Sequence, residues 1–128
     1  MKTIADVQQI AAYAFISKLF EARQQAHVSH LKTTSFAAHK ALDEFYSGIL
    51  DLADDFVETF QGQYGLVERY AGLSVDPNAD MIAYLDNLVK ILRGLNEIIP
   101  AQDSHLLNIR DEILGLTYKT IYKLKFLK

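Results

Sequence analysis

The 128-residue sequence contains no cysteine and no tryptophan, and it has only two prolines. Without cysteine, the protein can form neither disulfides nor thiolate metal sites, and it has no thiol nucleophile. Any metal ion would therefore have to bind histidine, aspartate or glutamate. The lack of disulfides is also compatible with a reducing compartment, and we expect a cytoplasmic protein.

Long uncharged hydrophobic runs are missing as well. The start of the chain is interrupted by Asp6, Gln8 and Gln9, so it does not have the apolar core of a signal peptide, and no later segment is apolar enough to span a bilayer. The 16 acidic and 13 basic residues give a net charge of −3. This balance does not indicate a nucleic acid or an anionic membrane as partner.

Apolar residues recur at helical spacing in four segments, and the length suits one domain over residues 1–128. In the first segment the apolar stripe includes Ile10 and Ala14. Ser35 is a candidate N-cap for the second segment, which should end at Gly62 and Gly65. We predict an all-α four-helix bundle. Its helices should run from about Ile4 to Leu31, from Phe36 to about Gln61, from Asn78 or Asp80 to before Pro100, and from Asp103 or Ser104 to the C-terminus.

The stretch between Gly62 and Pro77 has no clear long period. At roughly 3.3 Å per extended residue, such a connection is long enough to travel the length of a bundle. Some four-helix folds need a crossover of this kind between their second and third helices. We therefore predict a long connection at this position.

Candidate metal ligands are concentrated around the first turn and the second helix. Three of the four histidines, His27, His30 and His39, lie there. With about 100° of rotation per residue, His39 shares one flank of the second helix with three acidic side chains. Glu44, Asp51 and Asp55 fall on the opposite side and have the pattern of a solvated face. The flank near the core therefore carries His39, Asp43, Asp54 and Glu58.

The spacing of these ligands predicts a site shared by two chains. His39 and Asp54 are separated by 15 residues, which places them about 22 Å apart along a helix axis. They can share an ion only if two copies of the helix pack antiparallel, giving two equivalent sites in a twofold dimer. Leu50 and Val57 widen the apolar surface of this flank, which also favours a homo-oligomer built from antiparallel dimers.

The segment from His27 to Tyr46 resembles the helix-turn-helix of the Dps-type miniferritins. In that family a histidine near the end of the first helix precedes a turn, an aromatic residue and a His-x3-Asp motif, here His39 and Asp43. The spacing of Asp54 and Glu58 is similar to that of the family's acidic pair. The resemblance covers residues 27–58 and implies a ferritin-like four-helix bundle, a homo-oligomer and an intersubunit di-iron ferroxidase site. Its implied ligands are His39, Asp43, Asp54, Glu58 and either His27 or His30.

Two features leave an alternative function open. The family's first histidine is usually followed by tryptophan, but Val28 follows His27 and Leu31 follows His30. The run from His30 to Leu42 also looks similar to an uncharacterised family of small proteins from tailed bacteriophages. The alternative is a phage-encoded, non-enzymatic scaffold, or a protein that interacts with a host factor, without metal chemistry.

The C-terminal region and His105 have simpler interpretations. Lysines alternate with aromatic residues after Tyr118, a pattern seen in nucleic-acid patches, but these lysines are better explained as complements of the helix dipole. We therefore do not expect DNA binding. Asp103, Ser104 and His105 cannot fold onto one another as a triad at a helix start, and we interpret them as capping residues.

Overall fold

Four helices account for most of the chain. The computed structural model describes residues 5–128, and the side chains of all of these except residues 6 and 7. The helices are α1 (Asp6–Lys32), α2 (Phe36–Tyr64), α3 (Met81–Gly94) and α4 (Ser104–Phe126), with one 3-10 turn at Leu95–Glu97. No strand occurs among residues 5–128. The predicted all-α four-helix bundle is confirmed, whereas the helix start expected at Ile4 lies outside the described residues.

The core lies between the four helices, which all contribute to it. Helix α1 packs against α2, α2 against α4, and α4 against α3, while the α1–α3 pair is the loosest of these neighbours. Tyr84 of α3 donates a hydrogen bond to Glu21 of α1 at 2.9 Å across this loose side. Burial and the Glu21 carboxylate raise the pKa of Tyr84. The largest fully buried side chains are Phe45, Phe56 and Phe60, all from α2.

The segment between α2 and α3 runs along α1, opposite to the direction of α2. It leads towards the end of the bundle that contains the α1–α2 connection, which we call the upper end. The Tyr13 hydroxyl donates to the carbonyl oxygen of Leu66 at 3.4 Å. Further along, the Ala71 amide donates to Ser17 Oγ at 2.9 Å. The segment then reaches Gln25, so it passes from the lower half of α1 to its upper third. The predicted crossover is confirmed, and α1 and α4 consequently run in one direction while α2 and α3 run in the other.

Local signals explain most of the helix ends. Ser35 caps α2 by accepting from the Ala38 amide at 3.2 Å, as predicted. Helix α2 continues through Gly62 and stops at Gly65, whose φ of 99° strongly favours glycine. Asp80, one of the two predicted starts of α3, accepts from the amides of Ile82 and Ala83.

A buried arginine that no sequence pattern indicates completes the end of α3. Arg110 of α4 donates from Nη1 to the carbonyl oxygen of Leu92 at 2.8 Å and from Nη2 to Asn96 Oδ1 at 2.8 Å. Its Nε lies 2.8 Å from Asp111. These bonds satisfy all three nitrogens of the guanidinium and tie α3 to α4.

Two expectations about apolar residues are wrong. Helical spacing places Ile10 and Ala14 in the apolar stripe of the first helix, but both side chains are exposed, Ile10 by 57%. The same spacing places Val57 on the outer surface of α2, but it is buried in the core of the single chain. The apolar surface that favoured oligomerisation is therefore smaller than expected. No helix within residues 5–128 has the length and apolarity needed to cross a membrane.

The start of α4 contains a buried carboxylate in place of the expected cap. Asp103 is only 2% exposed, and its side chain makes no capping bond to α4. Its carboxylate accepts hydrogen bonds from Gln63 Nε2 at 2.9 Å and from the Tyr64 hydroxyl. His105 Nε2 donates to Gln63 Oε1 at 2.7 Å. Asp103 therefore ties the start of α4 to the end of α2, and the expectation that its side chain caps α4 is wrong.

Replacing Gln25 should loosen the crossover. Gln25 Nε2 donates to the carbonyl oxygen of Asp76, and Gln25 Oε1 accepts from the Asp76 amide, both at 2.9 Å. Gln25→Met keeps the length of the side chain but leaves both backbone groups unpaired. We expect the free energy of unfolding to fall by about 1–3 kcal/mol, and amide exchange at Asp76 to accelerate. Urea titration measures the first effect, and Gln24→Met is the matched control, expected to change the stability little.

Replacing Tyr64 should change the stability at alkaline pH. Burial, together with the hydrogen bond to Asp103 and its charge, raises the pKa of Tyr64 to about 12. The unfolded-state value is near 10. The protonated hydroxyl therefore stabilises the fold fully below pH 10, and this contribution is lost as pH rises towards 12. We expect Tyr64→Phe to be less stable than the parent at pH 8, with the difference shrinking between pH 10 and 12. A difference that stays constant in urea titrations across this range would contradict the assignment.

Candidate functional site

Three histidines and a tyrosine meet where α1 turns into α2. His27 and His30 lie near the end of α1, and His39 lies at the start of α2, so the short antiparallel connection brings them together. The His30 and His39 rings are stacked, with centroids 3.7 Å apart. The His27 ring stacks on Tyr46 at a centroid distance of 4.4 Å. The structure thus assembles all three predicted histidines into one cluster.

His30 and His39 hold each other through reciprocal hydrogen bonds to the backbone. Nδ1 of His30 lies 2.6 Å from the carbonyl oxygen of His39, and Nδ1 of His39 lies 2.8 Å from the carbonyl oxygen of His30. A carbonyl oxygen only accepts, so each Nδ1 must carry a proton and donate it. In the neutral rings, the lone pair is therefore on Nε2. Histidines that bind metal commonly have this arrangement, with the second ring nitrogen donating to a carbonyl or carboxylate.

Tyr46 connects this cluster to the first of the predicted acidic ligands. Burial, the hydrogen bond to Asp43 and the charge of that carboxylate raise the pKa of the Tyr46 hydroxyl. The Arg23 guanidinium lies 5.7 Å from the centroid of the Tyr46 ring. Its Nε is buried and has no hydrogen-bond partner among the described residues. Asp43 is therefore held next to the histidines, about one turn along α2 from His39.

Asp54 and Glu58 lie far from the histidines in the same chain. Both side chains are exposed, and neither makes a hydrogen bond or ion pair within the described part of the chain. The 15-residue spacing places Asp54 about 22 Å from His39 along α2. Within residues 5–128, no group of three or more histidine and acidic side chains is arranged to hold a metal ion. The site between two chains, with its six candidate ligands, therefore remains a prediction.

The three acidic residues of α2 that were not predicted as ligands, Glu44, Asp51 and Asp55, differ in their partners. Glu44 forms an ion pair with Lys123 of α4. The hydrogen bond and the positive charge of Lys123 lower the pKa of Glu44. Asp51 and Asp55 are exposed and make no such contact within the described residues. They match Asp54 and Glu58 in exposure. Asp51 lies seven residues before Glu58 and so projects from nearly the same side of α2, whereas it was expected on the opposite side.

A groove next to the histidine cluster was not predicted from the sequence. It has a volume of about 410 Å³ and lies at the same end of the bundle, between the ends of all four helices. None of the three clustered histidines lines it. It contains Lys32, the helix-capping Asp80 and the apolar side chains of Leu42 and Leu124. Its residues are scattered along the sequence, so no local pattern could have identified it.

Comparisons with known proteins place the chain in a family without assigning it an activity. A family model described as a family of unknown function, DUF5856, matches residues 30–124, and the chain belongs to this family. The chain is also 30% identical over 113 residues to an uncharacterized 14.6 kDa protein from the mobD-ri intergenic region of Enterobacteria phage T4, covering 86% of this chain and 84% of that protein. No solved structure matches the chain. The expected resemblance to small phage proteins is confirmed, whereas these matches give no support to the miniferritin resemblance.

Proposed function

We propose that this member of the DUF5856 family is a homo-oligomeric bundle that binds divalent metal ions, iron foremost, at sites shared by two copies of the chain. The anchoring of His30 and His39 carries this proposal. Each ring donates its Nδ1 proton to a backbone carbonyl and keeps an Nε2 lone pair for a ligand. The single crossover between α2 and α3, which ferritin-like bundles also have, supports the same function by analogy of fold alone.

The site needs a second chain because its ligands lie at two levels of α2. His39 and Asp43 are near the start of the helix, whereas Asp54 and Glu58 are exposed further along it. Antiparallel packing of two α2 helices would bring the first pair of one copy to the second pair of the other. His30 is the better candidate for the additional imidazole, since its Nδ1 is anchored while His27 is stacked on Tyr46.

The ligand set fits iron and is compatible with oxidation of the bound ion. Carboxylate oxygen and neutral imidazole nitrogen together suit Fe(II), which accepts mixed ligands. If a coordination position stays open, each Fe(II) could give one electron to dioxygen, which is the ferroxidase activity that the sequence resemblance implies.

The T4 relative comes from a bacteriophage. We accordingly place the protein's action in the cytoplasm of an infected bacterial cell.

A second candidate is a phage-encoded scaffold or host-interaction protein without metal chemistry. The observation that favours it is the exposed apolar surface along the crossover. Leu66 is 74% exposed and Tyr70 52% exposed. Beside them, a groove of about 290 Å³ between α1 and the crossover is lined by Ile10, Tyr13, Tyr70 and their neighbours. A surface of this kind is typical of contact with another protein.

Metal binding should depend on the acidic pair of α2. We expect the parent protein, loaded anaerobically with Fe(II), to retain iron through gel filtration, and the double variant Asp54→Asn/Glu58→Gln to lose at least about tenfold in affinity, since two charged ligands become neutral. Metal analysis of the eluted protein measures retention, and oxygen uptake on aeration reports oxidation separately.

The double variant Asp51→Asn/Asp55→Asn is the matched control. It removes the same charge from the same stretch of the same helix, but from two residues that are not predicted ligands, so it should bind iron like the parent. Equal iron binding by both double variants, or a parent without bound iron, would contradict the metal proposal. The scaffold function would then take its place.

A further inference from the structure

Positive charge and exposed aromatic rings are concentrated in the upper half of α4. Residues 113–128 contain four of the 13 basic residues and none of the 16 acidic ones. Tyr122 and Phe126 are 53% and 69% exposed, and their ring centroids lie 5.8 Å apart. The lower half of α4 is acidic at its exposed positions, with Glu112 and with Asp111, which pairs with the buried Arg110.

The outer edges of α4 and α2 form one continuous face, which we call the α2/α4 face. Glu44 pairs with Lys123 near its top. At the middle of the face, a Cβ on Gly48 would lie 2.9 Å from the Leu116 side chain. At the lower end of the face, Gln63 donates a hydrogen bond to Asp103. The two helices are therefore antiparallel neighbours along their whole shared length. The face comprises the solvent-accessible residues of both helices beside their line of contact. Its members used below are Glu112, Gly115, Lys119, Tyr122 and Phe126 of α4 and Asp55 of α2.

The two halves of this face differ in charge and character. Exposed Lys119 lies in the upper half, together with the two aromatic rings. Exposed Asp55 of α2 lies in the lower half, near the level of Asp111 and Glu112. Between the halves lie two glycines, Gly48 of α2 and Gly115 of α4. The Leu116 side chain covers Gly48, whereas a Cβ on Gly115 would meet no atom within 4 Å, so α4 can be approached closely at Gly115.

We propose that the α2/α4 face docks against a second copy of this chain, antiparallel, about a twofold axis close to Gly115. Lys119 lies about 6 Å above Gly115 along α4, and Glu112 lies about 4.5 Å below it. They are seven residues apart and so project from the same side of the helix. The twofold rotation exchanges top and bottom, so Lys119 of each copy meets Glu112 of the other. The aromatic upper half of each copy then covers the acidic lower half of its partner.

Self-complementarity is the reason for choosing a second copy as the occupant. A face that carries both signs of charge in opposite halves satisfies itself when two copies meet in the antiparallel sense. Single-stranded nucleic acid would require positive charge along the whole track of its backbone. Here the track is interrupted by Asp111, Glu112 and Asp55. The face also lies on the α4 side of α2, away from His39, which contacts α1. The contact therefore goes beyond the proposed metal site and does not need a metal ion.

Two single charge reversals and their mixture test this contact. Lys119→Glu places two acidic pairs in the dimer, and Glu112→Lys places two basic pairs in it. We expect each variant alone to dimerise at least about tenfold more weakly than the parent, because two favourable pairs become repulsive. An equimolar mixture should recover the parent's affinity, since position 119 of each chain then meets the opposite charge at position 112 of the other. Sedimentation velocity at micromolar concentration, low salt and with EDTA measures all three, and circular dichroism verifies folding.

Reversals on α3 provide the control, and several outcomes would overturn the proposal. Lys90→Glu and Asp86→Lys change the same charges at exposed positions outside the face, and both should dimerise like the parent. A monomeric parent in EDTA, reversals that match these controls, or a mixture without recovery would each overturn the contact. So would a monomeric parent that binds a single-stranded oligonucleotide through Lys119. Because EDTA removes metal throughout, the result does not depend on whether the iron proposal holds.

Discussion

The path of the crossover along α1 determines where the rest of the bundle lies. A tight connection after α2 would start α3 at the lower end and send it upwards. The bonds from Tyr13, Ser17 and Gln25 instead hold the chain along α1, from its lower half to its upper third, before α3 begins. Helix α3 therefore runs towards the lower end of the bundle and α4 runs towards the upper end. As a result, α4 ends beside the start of α2. The pairing of Lys123 with Glu44 and the proximity of the basic end of α4 to the histidine cluster are consequences of this path.

The crossover is held by side chains because it has no secondary structure of its own. Its backbone groups need partners wherever they are shielded from water, and two polar residues buried on α1, Ser17 and Gln25, supply them. A buried glutamine that bonds both the amide and the carbonyl of one residue fixes that residue in position and orientation. The opposite end of the bundle uses the same principle, since the buried Asp103 carboxylate connects α4 to Gln63 and Tyr64.

The histidine cluster shows how a short helical hairpin fixes the positions of several polar side chains within one chain. The reciprocal bonds between His30 and His39 fix both rings and both tautomers, and they use only one nitrogen of each ring. Under the proposed function, the remaining nitrogens and the Asp43 carboxylate would be one chain's part of the ligand set. Asp54 and Glu58 have no partner within residues 5–128 and lie at a different level of α2. A function that uses all of these residues therefore requires assembly, which makes the arrangement of copies the central question for this protein.

The amino-acid sequence by itself determined the helices and most of the positions at which they end. Periodicity predicted all four, and local chemistry identified Ser35 as a boundary and narrowed two others to Gly62 or Gly65 and to Asn78 or Asp80, because caps and turns depend on neighbouring residues. It also grouped the three clustered histidines, which a short turn forces together. Only the tertiary structure decided that Val57 is buried, that Ile10 is exposed, and that the polar side chains at positions 103 and 110 link separate helices. Those outcomes depend on which helix covers which face, and that is set by contacts between residues distant in the sequence.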